Sequence, residues 1–216
     1  MNESASAPTL KELRDFWGCQ DLVANVALRN GINLLANGRP VTPEALAAVM
    51  RIAIEEARSY IDIARTMGLE IQDGAVVGAV LTLRPTPYRF RIRGNDLYTW
   101  CGFDALFLPI MLGEPAQVAS TCPVTGTPIR LTVQADGTVS DAIPGTVVVG
   151  IVGEQIAASC SVVGPDSTIC TQMPFFASRD AGERWRADHP GVAIVDLDDA
   201  RRIARAYVAE PGAGHG

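Results

Sequence analysis

The chain has 216 residues, 48% of them hydrophobic and 19% charged, enough to bury a sizeable core in one large domain or two small ones. A formal net charge of -6 excludes a general nucleic-acid binder, which needs a clustered excess of Lys and Arg to replace phosphate counterions. No run approaches the roughly 18 uncharged apolar residues of a membrane span. The opening segment MNESASAPTLKELRDFWG lacks a basic start followed by an apolar stretch, so the expectation is no secretory signal and a cytoplasmic location.

The first third reads helical. TLKELRDFWGCQDLVANVALRNGINLLANG carries apolar residues at spacings of three and four, interrupted by Gly18 and Gly31. Thr42 is placed as an N-cap with Pro43 at the first helical position, and IEEARSYIDIARTMG sets Ile54, Ala57, Ile61 and Ala64 on one face, closed by Gly68. The period then changes: Asp73-Gly74 marks a turn, and short β-rich runs follow. Three helices and a hairpin outline a winged-helix-like unit over residues 1–90. A DNA-binding role is disfavoured, because the third helix sets Glu55, Glu56 and Asp62 beside Arg58 and Arg65, so the unit is read as a scaffold.

Residues 91–210 read as an α+β unit, a mixed or antiparallel sheet with flanking helices. Leu97–Leu112 is expected to be helical with Asp96 as its N-cap, and Pro109 to end or kink it. AQVAS, PIRLTVQADGTVSD and TVVVGIV read as strands, with a hairpin turn at Ala135-Asp136-Gly137. Ser178 is placed as the cap of RDAGERWRADH, and VAIVDLDDARRIARAYVAE reads as a strand followed by a helix. Residues 211–216 read as a disordered tail.

The five cysteines, Cys19, Cys101, Cys122, Cys160 and Cys170, are an odd set without a C-x-x-C pair, and in a reducing compartment they read as thiols. The two histidines, His189 and His215, sit near the end, so a His-based zinc site is not expected and the chemistry falls to sulfur and carboxylate. Cys101 and Asp104, three apart, share a helix face. The helix start favours thiolate, while the carboxylate opposes it, so the pair should titrate together around a shared proton. The bland alternative makes Cys101 a small core residue and Asp104 an exposed helix position.

GRPVTPEALAAV, VVGAVLTLRPTPYRFRI, LYTWCGFDALFLPIMLG, STCPVTGTPIRLTV and CTQMPFFAS followed by ERW resemble, in order and spacing, the bacterial organomercurial (alkylmercury) lyases. The likeness runs from about residue 38 to about residue 190. It implies protonolysis of a carbon–mercury bond by two cysteines and an aspartate, matching Cys101, Cys170 and Asp104, which would also hold the mercury. Cys122 matches a cysteine regarded as structural in the family, and Cys19 has no counterpart. An alternative alignment makes Cys160 the second thiol; the Phe175-Phe176-Ala177-Ser178 anchor favours Cys170.

Soft Hg(II) prefers thiolate, so no exogenous cofactor is implied. Trp100 and Phe175, with Phe103 and Phe107, would form an apolar pocket for the organic group, although Phe103 and Phe107 read more simply as core. Implied partners are the organomercury substrate, small thiols and a mercuric reductase receiving Hg(II), with no nucleic acid and no membrane. A binding protein of the same fold that sequesters Hg or Cu without cleavage is the competing reading, and it has no need of Asp104.

Overall fold

The computed structural model describes residues 26–66, 68–152 and 169–209. The expected helix over residues 9–25, Cys19, Cys160, His215 and the tail lie outside the described residues.

Among the described residues, three helices come first. α1 (Val26–Leu35) buries Leu28, Gly31, Ile32 and Leu35, one stripe at helical spacing. α2 (Pro43–Met50) starts as the sequence dictates: the Thr42 hydroxyl accepts from the Ala45 amide at 3.2 Å, and Pro43 occupies the first turn, where its missing N–H costs nothing. α3 (Ile54–Thr66) buries Ala57 and Ile61, with Glu55 and Glu56 in its first turn and Arg65 in its last, matching the helix dipole at both ends. A hairpin of β1 (Glu70–Gln72) and β2 (Ala75–Ala79) follows, turning at Asp73 and Gly74, both with positive φ.

That hairpin is the edge of a larger sheet. With β3 (Leu81–Thr82), β4 (Tyr88–Ile92), β5 (Asn95–Thr99), β6 (Ala116–Thr121), β7 (Pro128–Val133) and β8 (Val139–Ile143) it forms an eight-stranded sheet in the order β1-β2-β3-β5-β4-β6-β7-β8. Neighbouring strands are antiparallel. Residue 90, where the change of period set a boundary, lies in the middle of β4; Phe90 pairs with Leu97 on one side and Val118 on the other. In β4 the alternation of YRFRI buries Tyr88, Phe90 and Ile92 and leaves Arg89 and Arg91 outside.

The segment expected to be one helix from Leu97 divides in two. Asp96 is not an N-cap but a residue of β5, paired with Arg91, because Leu97 and Thr99 are needed in the sheet. The helix α4 (Gly102–Leu112) begins only at Gly102, and Cys101 caps it. Pro109 stands in its last turn, and the helix ends three residues later at Leu112, capped by Gly113, whose φ of 70° suits glycine.

A second sheet of three antiparallel strands, order β10-β9-β11, is built from β9 (Val148–Val152), β10 (Phe175–Phe176) and β11 (Val192–Asp196). Central β9, VVGIV, is buried throughout. α5 (Arg179–Arg186) is capped by Ser178 as expected, and α6 (Leu197–Ala209) follows β11. Phe103 and Phe107 of α4 are fully buried and pack on Tyr207 of α6, with ring centroids 6.0 and 4.9 Å away. They fill core, the plainer of their two sequence readings.

Candidate active site

The sequence WCGFDAL enters α4 as a capping box. The Asp104 amide donates to Cys101 Sγ at 3.4 Å, and Asp104 Oδ2 accepts from the Cys101 amide at 3.0 Å. The usual residues of this motif are Ser or Thr with Glu or Gln; here a thiol and a shorter acid take the places. Cys101 is 0% exposed and Asp104 3%, so the reading of Asp104 as an exposed helix position is overturned.

Cys170 reaches the same point from the other sheet. It opens a short 3-10 turn, Cys170–Gln172, that leads into β10, and it too is buried. Two glycines let that segment come close. The Gly102 amide donates to Met173 O at 2.9 Å, and a Cβ on Gly102 would stand 2.8 Å from the same oxygen. On the opposite side the Gly150 amide of β9 donates to Pro174 O at 3.0 Å, and a Cβ there would stand 3.1 Å from Gln172 O. The strand after Cys170 is thereby held between the start of α4 and the middle of β9, an approach that larger side chains would obstruct. Gly102, between Cys101 and Asp104, had no role in the sequence reading; its role is this contact.

One ligand atom each from Cys101, Asp104 and Cys170 lies within 4.8 Å of the other two. Both cysteines are free thiols. Burial pushes the Cys101 thiol well up, and a hydrogen bond with Cys170 and the charges of Asp104 and Cys170 add to the rise. The Asp104 main-chain amide opposes this by a smaller amount, so of the two opposing influences read from the sequence, the helix start is the weaker. Burial also raises the Asp104 carboxyl to about 7, against the pull of hydrogen bonds from the Cys101 thiol and main chain. An acid with that affinity both takes and gives a proton near neutral pH.

Phe175 is fully buried, and its ring lies 3.2 Å from where a Gly102 Cβ would be. Trp100 is 3% exposed, and its indole N–H donates to Glu70 Oε2 at 3.0 Å. Tyr88 is a neighbour the sequence reading did not single out. Its ring meets Phe175 edge-on at 6.3 Å, and burial, with the nearby charges of Cys101, Cys170 and Asp104, raises its phenol so that it stays neutral. The signal was present in the alternation of YRFRI, which sets Tyr88 on the inner face of β4.

Cys122 is buried apart from this cluster of three, at the turn after β6. Hydrogen bonds from Thr125, Ala177 and Val124 outweigh its burial and hold its thiol below the usual cysteine range.

Two buried thiols and a carboxyl raised by burial, at the start of a helix between two antiparallel sheets, make a donor set suited to a soft metal. The profile of the MerB family, alkylmercury lyase, matches residues 81–209. An alkylmercury lyase of Streptomyces lividans is 39% identical over 175 residues, 81% of this chain and 78% of the relative. Those of Staphylococcus epidermidis and Pseudomonas putida are 37% and 34% identical, over 81% and 77% of this chain and 77% and 75% of theirs. The crystal structure of the mercury-bound form of MerB2 superposes with a TM-score of 0.72 at 22% identity, covering 94% of this chain and 100% of that one, a likeness of fold. The chain belongs to the alkylmercury lyase family.

Proposed function

We propose that the protein is an organomercurial lyase whose Cys101, Cys170 and Asp104 cleave the carbon–mercury bond of R–Hg–X to R–H and Hg(II). The observation that carries this reading is the convergence of the two thiols and the buried acid within 4.8 Å. One thiol bonds mercury and displaces X, its proton leaving with X as HX. The second thiol gives its proton to the Asp104 carboxylate and adds to mercury, which raises electron density on the metal and weakens the C–Hg bond. The carbon leaves as a nascent carbanion and takes the Asp104 proton, returning the carboxylate. Atoms balance: two thiols and R–Hg–X become R–H, HX and a bis-thiolate Hg(II).

The surroundings serve these steps. Phe175 and Tyr88 provide an apolar wall for the organic group and keep competing water from the developing carbanion. Trp100 is assigned to the same pocket. Hg(II) then leaves from Cys101 and Cys170 by exchange to small thiols or to a mercuric reductase, in a cytoplasm that keeps thiols reduced. No described helix is long and apolar enough to cross a membrane. Sequestration without cleavage would leave the buried acid without a task, and the lyase reading is preferred for that reason.

Gas chromatography of headspace over phenylmercury or methylmercury tests the proposal. We expect benzene or methane from the wild type and none from Cys101→Ala or Asp104→Ala. Stoichiometric mercury binding without hydrocarbon in the wild type would overturn it in favour of sequestration.

A further inference from the structure

The cleavage uses one buried carboxylate; the fold also holds a partly buried one, Glu70 of β1, whose side chain is 11% exposed. Its Oε2 accepts from Thr82 Oγ1 at 2.6 Å and from the Trp100 indole N–H at 3.0 Å. Its Oε1 faces the Arg84 guanidinium at 3.5 Å, toward the surface, which offsets the charge. Room for the carboxylate is made across the strand pair: a Cβ on Gly78 would stand 1.8 Å from Glu70 Oε2.

The far end of this chain of contacts is the reactive cysteine. Trp100 directly precedes Cys101, and its main-chain amide is tied to Val80 O at 3.0 Å. The Cys101 carbonyl accepts from Thr99 Oγ1 at 2.9 Å. The backbone step from Thr99 to Gly102 is therefore fixed on both sides of Cys101, and the large Trp100 side chain is its one long lever. A buried indole N–H needs an acceptor to hold a single rotamer.

We propose that Glu70 is a positioning residue for the lyase site: its carboxylate locks the Trp100 indole, and through it the backbone step that aims Cys101 Sγ at Cys170 and Asp104. This rests on the lyase reading above. It gives the N-terminal hairpin a part in the chemistry without any contact with substrate.

The test compares Glu70→Ala, Glu70→Gln, Trp100→Phe and the Glu70→Ala/Trp100→Phe double variant in the full chain. Readouts are kcat and KM for benzene release from phenylmercury, the Trp100 indole resonance in a ¹H–¹⁵N spectrum, and the rate of Cys101 alkylation by iodoacetamide. We expect Glu70→Ala and Trp100→Phe each to lower kcat about tenfold, the scale of a modest misplacement of a reacting group, with KM in Glu70→Ala changed less than about twofold. The double variant should be no worse than either single one. Glu70→Gln, whose amide oxygen still accepts from the indole, should keep the wild-type indole resonance, alkylation rate and kcat within about twofold, while Glu70→Ala shifts all three.

Wild-type kcat in Glu70→Ala, single effects that multiply in the double variant, or Glu70→Gln as impaired as Glu70→Ala would each overturn the proposal. If the wild type releases no benzene, the lyase reading fails by itself. The resonance and the alkylation rate still judge whether Glu70 positions Trp100 and Cys101.

Discussion

Two helices of this protein begin with the same backbone and different atoms. Ser178 caps α5 at φ -155° and ψ 162°, its hydroxyl accepting from the Ala181 amide at 3.3 Å. Cys101 caps α4 at φ -145° and ψ 175°, its sulfur accepting from the Asp104 amide at 3.4 Å. The first is half-buried, and the acid of its first turn, Asp180, is exposed on the surface; the second is sealed, with its acid 3% exposed. A hydroxyl is the better acceptor, so the thiol at α4 sacrifices capping strength. Burial then turns the motif from a structural device into a reactive one, because the sulfur and the carboxyl cannot both hold charge there, and a proton given up by one is taken by the other.

The comparison breaks most sharply at Cys101→Ser. That change restores an oxygen cap, so we predict a melting temperature equal to or above that of the wild type, alongside loss of detectable benzene release from phenylmercury. Calorimetry and headspace analysis of one preparation check both. Retained turnover would mean that sulfur at position 101 is not the mercury ligand.

Next in size is Asp104→Asn, which keeps an acceptor for the Cys101 amide but no transferable proton. Hydrocarbon release should fall by about 10²–10⁴-fold, the usual worth of a general acid. The pH dependence of stability sharpens the same point. The folded Asp104 carboxyl is raised to about 7 from an ordinary 3.8, so the folded state holds a proton that the unfolded chain has released. Stability from this group is present below pH 4 and is lost as pH rises toward 7. Asp104→Asn should flatten the fall of melting temperature between pH 4 and 7; an unchanged slope would remove the raised carboxyl from the account.

The smallest effect belongs to the ordinary cap. Ser178→Ala should cost about 1 kcal/mol in urea unfolding and leave kcat unchanged. A large loss of activity there would show that α5 shapes the site as α4 does.

Much of this was readable in one dimension. Thr42, Pro43 and Ser178 sit where local hydrogen bonding demands them, and α6 follows its strand as the periodicity indicates. The W-C-x-x-D spacing carried the motif because a capping box is closed within four residues. The start of α4 was misplaced because Leu97 and Thr99 satisfy a helical period and a strand equally well; cross-strand pairing with β4 and β3 decides it. Glu70 and Tyr88 escaped notice because their partners lie on other strands.

The sequence by itself determined the caps of α2 and α5, the turns and the residue types able to grip a soft metal, since each depends on neighbours a few bonds away. Tertiary structure alone brought Cys170 to Cys101, by letting two glycines admit a backbone between helix and sheet. It alone raised the carboxyl of Asp104, because desolvation is a property of everything packed around a group and of no residue's own chemistry.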